Sequence, residues 1–463
     1  MEVEKRKESL IEDTRKLLQI KSVLDEENAT DDAPLGQGVK DALVYMLELG
    51  KSDGFSTKNV GNLAGHVEFG EGKESVGILC HVDVVPEGDG WSSDPYEAEI
   101  RDGNIYARGA IDDKGPTMAA YYAMKIVKEL QLPLSKRVRM IIGTDEESKW
   151  RCVDHYFEHE EMPTLGFAPD ADFPIIFAEK GISDFDIVQK GPQTEEISRI
   201  SVLSFQAGRR YNMVPDFAKA TLQTNQDETH IIQEFQSFLE EQNLKGKYYV
   251  DKGDLILEVE GVSVHGMEPD LGKNAGIYLG TFLHTLSINS KAKAYFSFIH
   301  TYFYQDSRGR QLGIAYSDDI SGDMTLNVGR LSYSQENGGM LGINLRYPVT
   351  ANLEKIQEKL SPVLSEEGFE VQNVTDSKPH HVDEKDFLIQ TLKKVYEEQT
   401  GQKAELLAIG GGTYARSLQS GVAFGPLFPG RPDVAHQKDE YMVVEDLLKA
   451  TAIYAQAIYE LAK

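Results

Sequence analysis

The sequence has little cysteine and no long apolar run. Only Cys80 and Cys152 occur among 463 residues, too few for a disulfide framework or for a structural zinc site made of thiolates. No apolar stretch approaches the roughly 18 residues of a membrane-spanning helix, and the first residues show no signal-peptide core. We therefore expect a cytoplasmic protein in a reducing compartment, with no membrane partner.

Basic residues are also scarce. The chain has 48 Lys and Arg against 75 Asp and Glu, a formal net charge of −27. Nucleic-acid binding is disfavoured because phosphate contacts need clustered cations. A high negative net charge also keeps a globular protein dispersed in solution, so the charge says little about the substrate. The length, with 40% hydrophobic and 9% aromatic residues, suits two or three domains with their own cores.

Hydrophobic periodicity predicts a layered α/β domain at both ends of the chain. Amphipathic helices are predicted at 2–20 and 38–49, and a helix over 116–130 has Pro116 in its first turn. Short apolar runs predict buried strands at 76–80, 138–143 and 175–177. Helical patterns return at 385–399 and 445–461. The terminal segments therefore form one domain, with a mixed central sheet flanked by helices.

The middle of the chain has a different pattern. Alternating residues predict a strand near 255–262, and Asn337-Gly338 between two strand-like runs indicates a hairpin. Helices are predicted at 228–242 and 353–366. The fold class is thus α/β with an α+β insert that could act as a lid. The predicted bounds are 1–186 for the first part of the catalytic domain, 187–378 for the lid and 379–463 for the second part.

Carboxylates and a histidine follow two of the predicted strands. His81 and Asp83 end one apolar run, and Glu146 and Glu147 follow the next. Of two adjacent carboxylates, one can bind a metal ion while the other moves protons. An aspartate beside a metal-bound histidine commonly holds the second ring nitrogen. The pattern predicts a hydrolytic metal centre.

Other ligand-type residues do not predict a metal site when taken singly. Asp112 and Asp113 lie in a glycine-bracketed loop before a helix, Asp170 and Asp172 lie between two prolines, and His436 lies in the last part of the chain. A lone acidic residue is, at roughly nine to one, simply part of the surface. Their shared placement at strand ends raises the odds, but spacing alone leaves the choice within each aspartate pair open.

Six segments together make a family resemblance specific. The chain is similar to the co-catalytic zinc peptidases that include aminoacylase, carboxypeptidase G and carnosinase, and especially to the bacterial dipeptidase V-like branch. The segments occur in the family's order and cover nearly the whole chain: 81–83 (HVD), 109–116 (GAIDDKGP), 145–147 (DEE), 169–174 (PDADFP), 179–181 (EKG) and 410–416 (GGGTYAR).

The resemblance implies a role for each residue of the centre. It implies that one metal ion is bound by His81, Asp112 and Asp170, and the other by Asp112 as bridge, Glu147 and His436. Glu146 would be the general base, and Asp83 would orient His81. Such nitrogen and oxygen ligands suit two divalent metal ions per chain, with zinc as the default and manganese or cobalt as alternatives.

The resemblance also assigns residues of the insert and of the glycine-rich segment. His265 would hold the oxyanion, and Asn212 and Arg346 would bind the substrate carboxylate together with the turn of Gly411, Gly412 and Thr413. Without the resemblance, spacing alone favours His265 as a strand end and Arg346 as the partner of a surface acid. His155 and His159 are interpreted as a solvated helix surface rather than a metal pair.

These roles imply a metal-dependent dipeptidase that cleaves small peptides with free termini through a water activated by two metal ions. A lid within the same chain favours a monomer, with a homodimer as the alternative. An N-acyl amino acid deacylase is the second hypothesis, disfavoured because deacylating relatives often have glutamate at the position of Asp170. A non-catalytic metal-binding relative is the third, although it should have lost Glu146 or a ligand.

Overall fold

The computed structural model describes residues 1–191, 198–225 and 228–463. The chain divides into two compact units. The first unit comprises Met1–Ala178, His381–Leu407 and Thr413–Lys463. The second unit comprises Glu179–His380 and Ala408–Gly412.

The α-helices of the described residues are α1 (Lys7–Leu18), α2 (Gln37–Ser52), α3 (Lys114–Glu129), α4 (Arg151–His159), α5 (Thr229–Glu241), α6 (Ala275–Thr285), α7 (Ser290–Phe303), α8 (Leu353–Glu366), α9 (Phe387–Thr400) and α10 (Val444–Ala462). Short 3-10 helices cover Glu4–Arg6, Pro269–Leu271 and Tyr414–Ser417. Over the same described ranges, no helix is both long enough and apolar enough to cross a membrane.

The strands are β1 (Ser56–Val60), β2 (Ala64–Phe69), β3 (Ser75–His81), β4 (Glu99–Arg101), β5 (Asn104–Tyr106), β6 (Arg137–Gly143), β7 (Leu165–Ala168), β8 (Ala171–Asp172), β9 (Ile175–Glu179), β10 (Gly181–Gln189), β11 (Ile200–Ala207), β12 (Phe217–Thr224), β13 (Lys245–Asp251), β14 (Asp254–Glu260), β15 (Ser317–Asp318), β16 (Gly322–Asp323), β17 (Thr325–Ser334), β18 (Gly338–Tyr347), β19 (Phe369–Gln372), β20 (His380–His381), β21 (Leu406–Ile409), β22 (Gly421–Ala423), β23 (Pro426–Leu427) and β24 (Tyr441–Val443).

The first unit is built on a mixed sheet. The strand β3 pairs in parallel with β6 on one side and with β7 on the other, whereas β2 pairs antiparallel with β6 and β1. Every residue of β3 is buried, which explains its continuous apolar run, because a central strand covered on both faces needs no polar face. Helix α3 packs against α1 and α10. The predicted α/β class with a mixed, helix-flanked sheet is confirmed.

The second unit contains an eight-stranded antiparallel sheet in the order β13-β14-β12-β11-β17-β18-β10-β19. The strands β17 and β18 form the hairpin predicted at Asn337-Gly338, with Gly338 in the left-handed region at φ 78°. The second unit begins earlier than the predicted lid because β10 pairs with β18 from Gly181 onward. The lid role of this unit stays a prediction.

The first predicted helix and the helix with Pro116 begin at other residues than predicted. The first helical region starts as a 3-10 turn at Glu4–Arg6 before α1 begins at Lys7. Helix α3 begins at Lys114, so Pro116 is its third residue rather than its first. Proline is tolerated there because the backbone N–H groups of the first turn have no partner within the helix.

The buried histidine of β2 makes the stability of the fold depend on pH. His66 is only 5% exposed, its Nδ1 lies 2.8 Å from the Tyr156 hydroxyl, and burial, with the charge of Arg139, lowers its pKa to about 4. The unfolded chain therefore binds this proton at a higher pH than the folded chain does. Stability should fall as the pH drops from about 6.5 to 4.

We expect His66→Phe to reduce the dependence of the free energy of unfolding on pH in that window by up to about 1.4 kcal/mol per pH unit. Denaturant titrations at several pH values measure this slope. A matched control is His159→Gln, which replaces an exposed histidine. An unchanged slope in His66→Phe would show that His66 is protonated alike in both states.

Candidate metal centre

The parallel part of the first unit's sheet gathers ligand-type side chains at one edge. His81 is the last residue of β3, Glu146 and Glu147 follow β6, and Asp170 follows β7. The N–H of Val82 donates to the carbonyl of Gly143 at 3.1 Å, joining the ends of β3 and β6. Because parallel strands end at the same edge, the loops that follow them converge there, as binding sites in α/β folds do.

His81 is fully buried, and its two ring nitrogens have different neighbours. Its Nε2 lies 3.1 Å from Oδ1 of Asp112 and 3.7 Å from Oδ1 of Asp170. Its Nδ1 lies 3.0 Å from the backbone carbonyl of Asp83 and 3.4 Å from the carboxylate of the same residue. Asp83 thus holds the second nitrogen, with its backbone oxygen as the nearer partner, and leaves Nε2 directed at the carboxylates.

A second histidine contacts the other oxygen of the same aspartate. Nε2 of His436 lies 3.0 Å from Oδ2 of Asp112 and 3.1 Å from the carboxylate of Glu147. His436 has a φ of 61°, in the left-handed region. Asp112 therefore presents one oxygen to His81 and the other to His436, the arrangement that a bridging carboxylate needs.

This donor set fits two divalent metal ions. Atoms that could serve as ligands lie within 4.8 Å of one another in two groups, one of His81, Asp112 and Glu147 and one of His81, Glu146 and Asp170. All are imidazole nitrogens or carboxylate oxygens, which suit zinc, manganese or cobalt.

The electrostatics of the cluster also favour a bound cation. Burial and the charge of Asp112 raise the pKa of Glu147 to about 7. Burial and the charge of Asp170 raise the pKa of Glu146 well above its usual value, and burial likewise raises the pKa of Asp170. Carboxylates this close together resist ionising in one another's presence, and divalent cations would relieve that repulsion.

The neighbouring aspartates Asp113, Asp172 and Asp145 have other surroundings. Asp113 is fully buried, and its Oδ2 accepts hydrogen bonds from the His81 N–H at 3.1 Å and from Oγ1 of Thr117 at 3.0 Å. Asp172 is exposed. Asp145 is buried and ion-paired with Arg151 at 2.7 Å.

A model of "Peptidase family M20/M25/M40" matches residues 77–460. The chain belongs to this peptidase family. It is 56% identical to "Putative dipeptidase YtjP" of Bacillus subtilis over 463 residues, covering 100% of this chain and 99% of the relative. It is 49% identical to a "Putative dipeptidase" of Staphylococcus epidermidis over 454 residues, with 98% and 97% covered.

Solved structures share the fold of this M20 family chain. Human carnosine dipeptidase 1 superposes with a TM-score of 0.56 at 14% identity, covering 99% of this chain and 97% of that one. Aminoacylhistidine dipeptidase of Vibrio alginolyticus gives 0.59 at 12% identity, covering 98% and 96%. The family resemblance inferred from the sequence is confirmed.

Sequence reasoning missed one charged pair that supports the Asp112 loop of this M20 chain. Glu440 is fully buried and binds Arg108, with its Oε2 2.7 Å from Nη1 of that arginine. Burial and the charge of Asp112 raise the pKa of Glu440 to about 7. Glu440 lies four residues after His436, which is the only signal that the sequence offers.

The second unit holds the predicted oxyanion residue. Nδ1 of His265 accepts a hydrogen bond from the N–H of Met267 at 3.2 Å, so the neutral ring carries its proton on Nε2. Burial, with the charge of Arg346, lowers the pKa of His265 and favours this neutral form. The ring is thus a donor through Nε2.

The predicted carboxylate-binding residues have several partners within their units. In the second unit, Arg346 is buried and donates to Oδ1 of Asn344 at 2.8 Å and to the carbonyl of Gly410 at 3.0 Å, next to Gly411 and Gly412. The Asn212 carbonyl accepts from the N–H of Gly266 at 2.7 Å, and the Asn212 residue is exposed. Thr413, in the first unit, accepts from the N–H of Ala415 at 3.3 Å.

A third group of potential ligands lies on helix α4. Ligand atoms of His155, Glu158 and His159 fall within 4.8 Å of one another, although spacing in the sequence favoured a solvated surface. Nδ1 of His159 lies 2.8 Å from the carbonyl of His155, and Glu158 and His159 are exposed.

The contacts of the paired aspartates generate a direct test. Asp113→Asn keeps an oxygen that can accept from His81 and Thr117, so the purified variant should retain about as much metal per chain as the wild type. Asp112→Asn removes the negative charge between the two histidines. This variant should lose most of its bound metal. Metal content after dialysis decides; loss in Asp113→Asn with retention in Asp112→Asn would reverse the assignment.

Proposed function

We propose that the protein is a metal-dependent dipeptidase that hydrolyses the peptide bond of short peptides with free termini. The observation that carries the proposal is the placement of the Asp112 carboxylate between His81 and His436. The high identity to a relative named as a dipeptidase supports the substrate class.

The proposed ligands form two sets that share Asp112. His81 and Asp170 complete one set, and Glu147 and His436 complete the other. Zinc is the proposed metal because a borderline-soft ion suits a mixed imidazole and carboxylate set. When bound, two such ions polarise the scissile carbonyl and lower the pKa of the attacking water.

Glu146 is the proposed general base. Its neighbour Glu147 contacts His436, whereas the Glu146 carboxylate lies within 4.8 Å of ligand atoms on His81 and Asp170 without a described hydrogen bond to either. From this position it can take a proton from the attacking water and deliver it to the leaving amine. A buried carboxyl with a raised pKa is suited to hold that proton between the two steps.

Glu146→Gln keeps the shape of the side chain but removes the proton acceptor. We expect turnover to fall by several orders of magnitude while the variant keeps nearly the wild-type metal content. Turnover of a chromogenic dipeptide and metal analysis of the same sample separate the two effects. Loss of metal in proportion to activity would place Glu146 among the ligands instead.

The second unit would supply substrate recognition. The Nε2–H of His265 can donate to the oxyanion that forms at the scissile carbonyl. Arg346, Asn212 and the glycine-rich segment of Gly411, Gly412 and Thr413 are the proposed site for the free carboxylate of the substrate. An arginine that also holds the Gly410 carbonyl keeps its planar fork in a fixed orientation, which favours binding of a carboxylate.

A set of four substrates tests this recognition. A dipeptide, its C-terminal amide, a tripeptide and an N-acetylated amino acid are compared by kcat/KM. We expect the dipeptide to be best, and Arg346→Ala to weaken its transition-state binding by about 2 to 4 kcal/mol. Faster cleavage of the N-acetylated compound would favour a deacylase, and equal cleavage of the amide would refute the carboxylate site.

The cytoplasmic location and the monomeric state are part of the same proposal. Cys80 and Cys152 are both free and buried, which agrees with a reducing compartment. An insert that supplies His265 within the same chain would let one subunit form a complete site.

A further inference from the structure

One carboxylate of the first unit binds the loop that carries the bridging aspartate. The side chain of Glu440 is 0% exposed. Its Oε1 accepts from the N–H groups of Ile111 at 2.9 Å and Asp112 at 3.2 Å. Its Oε2 accepts from the N–H of Gly109 at 3.0 Å and from Nη1 of Arg108 at 2.7 Å. Four donors thus converge on two oxygens.

This convergence fixes a segment that has no regular structure of its own. Residues 107–113 lie between β5 and helix α3, so no strand or helix ladder sets the direction of the Asp112 side chain. The N–H groups that point at Glu440 set it instead. Burying a carboxyl group is unfavourable unless its oxygens are hydrogen-bonded, and those of Glu440 are hydrogen-bonded to this loop only while the loop keeps this conformation.

The backbone of the same residue anchors a second loop. The carbonyl of Glu440 accepts from the N–H of Ala107 at 3.1 Å, and the next residue, Tyr441, pairs with Tyr106 in the ladder of β24 and β5. Oδ1 of Asp439 accepts from the N–H of Ser92 at 2.7 Å. The segment that carries His436, four residues before Glu440, is thereby held against the segment that carries Asp112.

We propose that Glu440 is a positioning residue for the metal centre, holding Asp112 between the two histidines and fixing the chain that bears His436. This inference rests on the ligand roles proposed above. In Glu440→Gln the amide NH2 group replaces one of the two oxygens. Because this group is itself a donor, it cannot accept from the two donors that contact that oxygen in the wild type, so one pair of contacts is lost. Asp112 then loses its fixed direction, and both metal ions bind less tightly because both use this carboxylate.

Zinc affinity of the full-length protein, measured by competition with a chromophoric chelator and without peptide, tests the proposal. We expect Glu440→Gln to bind zinc roughly 10- to 100-fold more weakly, the range typical of residues that hold metal ligands. The matched control is Glu68→Gln, since Glu68 also pairs with arginines in the first unit, at 2.5 Å to Arg139 and 3.3 Å to Arg137.

The control should lose thermal stability in the metal-free state but keep zinc affinity within about twofold. Equal affinity in Glu440→Gln and the wild type, or equal losses in both variants, would overturn the proposal. If Glu440→Gln does not fold, Arg108→Lys is used instead. It weakens one of the four contacts with Glu440 and should reduce zinc affinity several-fold. Unchanged zinc affinity in Arg108→Lys would overturn the proposal.

The outcome is separable from the dipeptidase proposal. A wild type that binds zinc but cleaves no dipeptide would refute the proposed function and leave the comparison of Glu440 variants intact. A wild type that binds no zinc would overturn the positioning role as well.

Discussion

The parallel pairing of β3 with both β6 and β7 is the constraint on which the candidate centre depends. It brings the ends of three strands to one edge, so His81, the two glutamates and Asp170 lie together although they come from distant parts of the sequence. An antiparallel arrangement would send the following loops to opposite edges. The register is held by side chains that are buried along the whole of β3, so the core of the first unit also sets the geometry of its polar edge.

The same edge carries an electrostatic conflict. Several carboxylates lie close together with little solvent, and burial together with the charge of neighbouring carboxylates raises the pKa values of Glu146, Glu147 and Asp170. A fold optimised only for stability would avoid this arrangement, since buried charges are tolerated only with strong partners. The hydrogen bonds of Asp113 to the His81 backbone and to Thr117 show how the surrounding chain supports the cluster.

Much of the fold could be predicted from the sequence. Long periodic helices such as α8, and apolar runs such as β3, were predicted within a few residues. Burial of one face or of a whole element places apolar residues at regular positions in the sequence. The residues of the candidate centre were predicted from motifs rather than from spacing, which could not choose between Asp112 and Asp113. The contacts of Asp113 with His81 and Thr117, and those of Asp112 with two histidines, depend on the conformation of the loop.

Glu440 shows where sequence reasoning fails. In the sequence it is one acidic residue in a polar segment of an acidic protein, and an exposed surface is the natural expectation. Its burial depends on the pairing of β24 with β5, which joins residues more than three hundred positions apart. The lengths of β5 and β24, three residues each, are too short for a periodic signal to reveal that pairing.

The discontinuity of the first unit has a consequence for synthesis of the protein. The ribosome produces His81, Asp112, Glu147 and Asp170 early, whereas His436 emerges only after the whole second unit has been made. Until then, only one of the two histidines that contact Asp112 in the folded chain has been synthesised. The complete cluster can therefore assemble only after the intervening second unit has been synthesised.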